Sequence, residues 1–85
     1  MKEEQIGEIT HFFPHIPAGV IKLEKELRAG DTIHIKGHTT DLTQIIDSMQ
    51  IDNAPVKEGK KGDDIAIKLK ERVRINDLVY KVIEE

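Results

Sequence analysis

Apolar and polar residues alternate along this chain in short runs, and the runs end at glycine, proline or aspartate. Ile65, Ile67 and Leu69 alternate with Ala66, Lys68 and Lys70, and Ile33 and Ile35 alternate with Thr32, His34 and Lys36. A period of two marks a strand with one face buried and one wet. Six segments read this way: Ile6 to Phe13, Gly19 to Leu23, Thr32 to Lys36, Leu42 to Ile51, Asp64 to Lys70 and Leu78 to Ile83. Candidate turns fall at Pro14 to Gly19, Glu24 to Asp31, Gly37 to Asp41, Asp52 to Asp64 and Glu71 to Asp77. Short strands at near-regular spacing predict an all-β barrel or sandwich. With no long loop to spare, a small closed six-stranded antiparallel β-barrel is the economical solution, because closure removes exposed edges.

Two segments carry a rival helical pattern. Val20, Leu23, Glu24 and Leu27 sit three and four apart, but Gly19 and Gly30 would confine a helix there to two turns. Leu42, Ile45, Ile46 and Met49 also fit a helical face that Asp41 could cap. As a strand, that segment needs a β-bulge where its period slips between Ile46 and Met49.

Length and composition narrow the picture. Eighty-five residues make one domain, 1–85, with its core over about residues 5–83. Ile, Val and Leu must supply that core, since aromatics are 4% of the chain and there is no cysteine to cross-link it. No internal repeat, linker or low-complexity tract stands out. No apolar run approaches the roughly 18–20 residues that span a bilayer, and Met1 to Gln5 is charged, unlike a secretory leader. The expectation is a cytoplasmic monomer with no membrane contact. Thirteen Lys and Arg stand against sixteen Asp and Glu, a formal charge of -3. That balance argues against a generally basic nucleic-acid binder and leaves room for one local basic face.

Candidate chemistry is sparse. No Gly-x-x-x-x-Gly-Lys-Ser/Thr phosphate loop is present, so no nucleotide cofactor is expected. Four histidines, His11, His15, His34 and His38, raise a metal site, but strand residues four apart lie about 13 Å from each other, too far to share an ion. No metal and no cofactor are expected. The aspartates fall mostly in turns, where bonding to backbone explains them, and no nucleophile–base pair stands out, so no enzyme is expected. Lys68, Lys70, Arg72 and Arg74 alternate with Leu69, Glu71 and Val73. If extended, they project from one face about 7 Å apart, near the phosphate spacing of an extended nucleic-acid strand. Glu71 falls on the apolar parity and places a turn close by. Lys36 and the loop residues His38 and Thr39 complete the candidate RNA-contacting set.

Three stretches carry a family resemblance. Leu27-Arg28-Ala29-Gly30-Asp31 with the strand to Gly37, Ser48-Met49-Gln50-Ile51-Asp52-Asn53-Ala54-Pro55-Val56, and Gly59-Lys60-Lys61-Gly62-Asp63-Asp64 with the strand to Leu69 resemble, in order, domain 2 of the elongation factor Tu-type GTPases. Asp77-Leu78-Val79-Tyr80-Lys81 resembles that barrel's closing strand. The stretch Lys36 to Asp41 is similar to that of small stand-alone elongation factor-like proteins. The C-terminal barrel of the collagenase-like peptidase family also looks similar, and some members of that family act in RNA modification. The resemblance implies a translation-factor domain 2-like barrel and settles Leu42 to Met49 as strand. It also implies a non-catalytic module of translation or RNA metabolism that contacts tRNA or rRNA. The alternative is a protein-interaction barrel docking on a separately encoded enzyme or translation factor. No GTPase domain accompanies it, and the first hairpin, Pro14 to Leu27, departs from the elongation factors.

Overall fold

The computed structural model describes residues 2–83. Every described element is a strand: β1 (Lys2–Phe13), β2 (Ala18–Leu23), β3 (Leu27–Arg28), β4 (Thr32–Lys36), β5 (Asp41–Ile45), β6 (Met49–Ile51), β7 (Ala54–Val56), β8 (Glu58–Gly59), β9 (Asp64–Lys68) and β10 (Leu78–Ile83). The main sheet runs β5-β4-β10-β1-β2-β9-β6-β7, and β3 pairs with β8 apart from it. All the pairings are antiparallel. Each of the six segments marked by periodicity carries a strand, and neither rival helix forms. The segment Leu42 to Ile51 does not run through as one bulged strand; it divides into β5 and β6.

Two bulges in β1 explain a spacing that simple alternation misses. Ile6 and Ile9 are both fully buried although three apart. The register with β10 slips between Gln5 and Gly7, and that with β2 slips between Ile9 and His11. Each extra residue flips the facing of the residues after it. Inward positions therefore fall at Ile6, Ile9 and Phe12, and Phe13 points outward. This twelve-residue strand pairs β10 on one side and β2 on the other.

A turn of one design recurs three times. In each, an Arg or Lys is followed two residues later by positive φ and three later by aspartate. The positive-φ residues are Gly30 (94°), Gly62 (92°) and Asn76 (77°). The aspartate Oδ2 accepts the backbone N–H three residues earlier: Arg28 to Asp31 (2.9 Å), Lys60 to Asp63 (2.8 Å) and Arg74 to Asp77 (2.8 Å). The aspartate's own N–H returns to the carbonyl of the same residue. Glycine takes the left-handed region freely and asparagine tolerates it. The expectation of no internal repeat is thus corrected at this scale: the repeat is conformational, with Asn76 standing where the other two turns carry glycine.

The core is one cluster built on isoleucine. Ile6, Ile9, Ile21, Ile33, Ile35 and Ile65 have no exposed surface, and Phe12 packs against the cluster from the rim. Leu69 and Val73, beyond the end of β9, also reach into it.

The sheet's two end strands, β5 and β7, have no ladder between them, so the backbone pairing remains open where a closed six-stranded barrel was expected. One side chain crosses the gap beside β5. Gln44, 7% exposed, donates its amide N–H to the Lys68 carbonyl (2.9 Å) and accepts the Lys70 N–H (3.0 Å). A polar residue takes one of the two inward positions of β5, the other being Leu42, and its neighbour Ile45 faces out, 55% exposed. Among the described residues no buried side-chain nitrogen or oxygen lacks a partner.

Candidate docking surface

One end of the molecule is built by the β1–β2 hairpin tip and the segment that leaves β9. Chain direction there is set by anchoring. Leu69 (4% exposed) and Val73 (1%) are drawn into the core, so the residues between and beside them face outward. The Leu69 N–H bonds the Pro17 carbonyl (3.1 Å), and the Asn76 N–H bonds the Ile9 carbonyl (2.7 Å). These bonds fasten the 69–77 segment across the hairpin. Lys68, Lys70, Arg72 and Arg74 are all exposed along it.

The exposed large apolar side chains gather around the same segment. Among the described residues they are Phe13, Ile16, Ile45 and Ile75, each between 46% and 61% exposed. Phe13 and Ile16 line a hollow of about 330 Å³ with Ala18, Ala66, Ile67 and Lys68 and with polar side chains that include Gln50 and Asn53. Ile45 lines a small cleft of about 60 Å³ that also touches Lys68. Ile75 shares a shallower hollow with Phe12, Pro14, Arg72 and Arg74. The His11 ring lies parallel to that of Phe13, with centroids 6.4 Å apart.

Charge is distributed unevenly. None of the ion pairs formed among the described residues includes Lys68, Lys70, Arg72 or Arg74. Some basic groups elsewhere are matched, while Lys22, Lys57, Lys60 and Lys61 form no ion pair among the described residues either. Arg28 lies between Glu26 (2.6 Å) and Glu58 (3.5 Å), and Lys81 reaches Asp31 (3.3 Å). Lys36 meets Glu3 at 2.8 Å and stands 5.1 Å over the Tyr80 ring. The hydrogen bond that Arg28 donates to Glu26 raises Arg28 above its ordinary pKa and lowers Glu26. Glu3 is likewise lowered, chiefly by Lys36 and then by His34.

His34 belongs to that second, neutralised face. Its Nδ1 meets Glu3 Oε2 at 2.7 Å and its Nε2 meets the Asp41 carboxylate. These two hydrogen bonds, that to Asp41 foremost, raise its pKa above the ordinary 6.5. Among the described residues no group of three or more His, Asp or Glu side chains is placed to hold a metal ion. None of those residues forms a helix long and apolar enough to cross a membrane.

The predicted contact set is therefore divided. Lys68, Lys70, Arg72 and Arg74 share one end, but not as one extended stripe: β9 stops at Lys68, and Leu69 and Val73 turn the chain beyond it inward. Lys36 is pulled to the opposite outer face by Glu3, and His38 and Thr39 lie exposed in the β4–β5 turn. Sequence reasoning missed Phe13, Ile16, Ile45 and Ile75. A signal existed for Ile45, because two consecutive isoleucines in a strand cannot both face inward. Ile16, set between His15 and Pro17 in a turn, was a second.

No protein-family model matches the chain. It is 37% identical over 81 residues to an uncharacterized protease of Methanocaldococcus jannaschii, covering 94% of this chain and 20% of that protein. It is 31% identical over 78 residues to a collagenase of Porphyromonas gingivalis, covering 89% of this chain and 22% of that protein. The chain thus spans about a fifth of the length of these curated relatives. Among solved structures it resembles the C-terminal domain of a Geobacillus thermoleovorans protein assigned to the U32 peptidases. The TM-score is 0.88 at 16% identity, over 94% of this chain and 93% of that one. The selenomethionine variant of that domain gives 0.85 at 15% identity, over 89% and 96%. At such identity the structural match establishes the shared fold. The fold is that of the Geobacillus C-terminal domain. The sequence relatives are a protease and a collagenase.

These findings uphold the likeness to the collagenase-like peptidase family, while the elongation-factor resemblance gains no support from them. They overturn the expectation of a translation elongation factor-like or RNA-binding module contacting tRNA or rRNA, since the relatives point to a protease-associated domain. The geometry supplies the physical reason. The RNA reading needed a continuous basic strand face with Lys36, His38 and Thr39 nearby, and the chain breaks that face at Leu69 and neutralises Lys36.

Proposed function

We propose that this chain is a non-catalytic accessory domain that docks on a U32 peptidase-type catalytic domain. The carrying observation is the pattern of alignment: nearly all of this chain matches about a fifth of its protease relatives, in a piece whose described residues form their own core. A domain with a complete core needs no neighbour to fold, so what it offers a neighbour is its surface. The fold of the Geobacillus domain favours the same reading. Part of the proposal is that the sheet closes as a barrel through the Gln44 bridge, which leaves β5 no free edge for strand addition. Contact is then made by side chains.

The test is recovery of the tagged chain from its own cells after nuclease treatment, with the bound proteins identified by mass spectrometry. A U32 peptidase-type polypeptide at near-equal amount is the expected result. Recovery of no such polypeptide, or hydrolysis of gelatin by the purified chain alone, would sink the proposal.

A further inference from the structure

Every exposed large apolar side chain among the described residues lines a hollow that also contains an unpaired cation of the 68–74 segment. We infer that this end, with Phe13 and Ile16 as anchors and Lys68, Arg72 and Arg74 as rim, is the docking surface. Its partner is a protein surface that presents an apolar projection ringed by Asp and Glu. The inference rests on the accessory-domain reading and names where, and to what chemistry, the domain binds.

Three arguments converge on it. Phe13 is set outward by the bulge at Thr10, against the parity of an uninterrupted strand, with the His11 ring stacked parallel to it. Anchors that carry binding energy are aromatic and apolar groups held rigid before contact, because a rotamer already fixed has less freedom to lose. The hollow at Phe13 and Ile16 mixes apolar Ala18, Ala66 and Ile67 with polar Gln50 and Asn53, and its volume of about 330 Å³ is room for one or two partner side chains. The protein as a whole is acidic, at -3, and although Lys22, Lys57, Lys60 and Lys61 also form no ion pair among the described residues, Lys68, Arg72 and Arg74 are the cations that share hollows with the exposed large apolar side chains. Lys68, Arg72 and Arg74, unpaired around apolar groups, outnumber the neighbouring Glu71 and Asp47 and make this end attractive to carboxylates. Complementary charge of that kind steers association and selects the partner more than it adds affinity. The hollow beside His34 differs because its cations already have carboxylate partners, and the hollow beside Arg28, where Lys57 is unpaired, holds none of the exposed large apolar side chains.

The experiment titrates the 85-residue chain with the U32 peptidase-type polypeptide of the same cells, by calorimetry and by backbone NMR shifts. Two double variants probe the surface: Phe13→Ser with Ile16→Ser, and Lys68→Glu with Arg72→Glu. Lys60→Glu with Lys61→Glu reverses charge in a remote turn as the control. All six side chains are exposed except for part of Phe13, so circular dichroism should show each variant folded. Expected are shifts over residues 13–18 and 66–75, binding weakened about tenfold or more by each surface variant, and little change in the control. A complex with shifts elsewhere, or one indifferent to both surface variants, overturns this surface and leaves the accessory-domain reading standing. Equal weakening by the control reduces the effect to net charge and overturns it as well. Absence of any complex overturns both readings. Self-association through the same residues, or their titration by bulk tRNA in place of the polypeptide, overturns the acidic-protein partner.

Discussion

Replacing Gln44 by leucine isolates the bridge between β5 and the segment beyond β9. The two side chains are similar in size, so the change removes hydrogen bonds and leaves no large void. Two backbone groups lose a partner, the Lys68 carbonyl and the Lys70 N–H. Each unsatisfied buried group costs about 1–3 kcal/mol, and partial access to water puts this pair near the low end, about 2–3 kcal/mol together. Leucine returns about 1 kcal/mol by placing apolar carbon where an amide lay. The net loss is about 1–2 kcal/mol, which for a domain of this size lowers the Tm by about 5–15 °C. Thermal unfolding followed by circular dichroism measures it, and amide exchange at Lys70 reports the bridge directly. Gln44→Glu is the informative companion. It keeps the acceptor for Lys70 but turns an oxygen toward the Lys68 carbonyl, so only the protonated acid can restore both bonds. The folded state then favours the neutral acid and raises its pKa, so stability is present at low pH and lost as pH rises through that value. A Gln44→Leu protein that melts within about 1 °C of the parent, or whose Lys70 amide exchanges no faster, would refute the bridge.

Other perturbations test other joints. Gly7→Ala places a Cβ 2.4 Å from the Lys22 carbonyl oxygen, a backbone atom that cannot step aside, and should cost about 1–3 kcal/mol in urea unfolding; an unchanged midpoint would mean that β1 and β2 can separate locally. Asp77→Ala removes the acceptor of the Arg74 N–H in the third turn and should cost about 1–2 kcal/mol, with Asp77→Asn close to the parent; equal loss in both would assign the effect to charge instead of the turn. The His34 clip makes stability depend on pH. Because its folded pKa lies above the ordinary 6.5, its contribution is complete below about pH 6.5 and is lost as pH rises through the folded value. Glu3, held below its ordinary 4.5, contributes above that value and fails as pH falls through its folded pKa. Urea midpoints should therefore decline from mildly acidic to mildly alkaline pH in the parent and stay flatter in His34→Gln; identical slopes in the two proteins would remove His34 as the cause.

Much of the architecture is written locally. The alternation at Ile33 and Ile35 and at Ile65 and Ile67 marks which side of each strand is buried, because side chains leave a strand on alternating sides whatever lies next to it. Asp31 and Asp63 announce their turns through the glycine before them, since the bond each aspartate makes spans only three residues. The all-β class and the isoleucine core come from these local rules. The tertiary structure decided what depends on neighbours distant in sequence. Which strand pairs with which placed the bulges of β1, and the bulges turned Phe12 in and Phe13 out. The gap beside β5 gave Gln44 two backbone partners and so made a polar residue the better inward choice than Ile45. The basic residues behaved in the same way: Lys36 and Lys68 look equivalent in the sequence, but Glu3 lies across β10 from one, and among the described residues no carboxylate pairs with the other. Local periodicity records facing within a strand, and the hydrogen bonds and charges that assign each side chain its role come from pairings between strands.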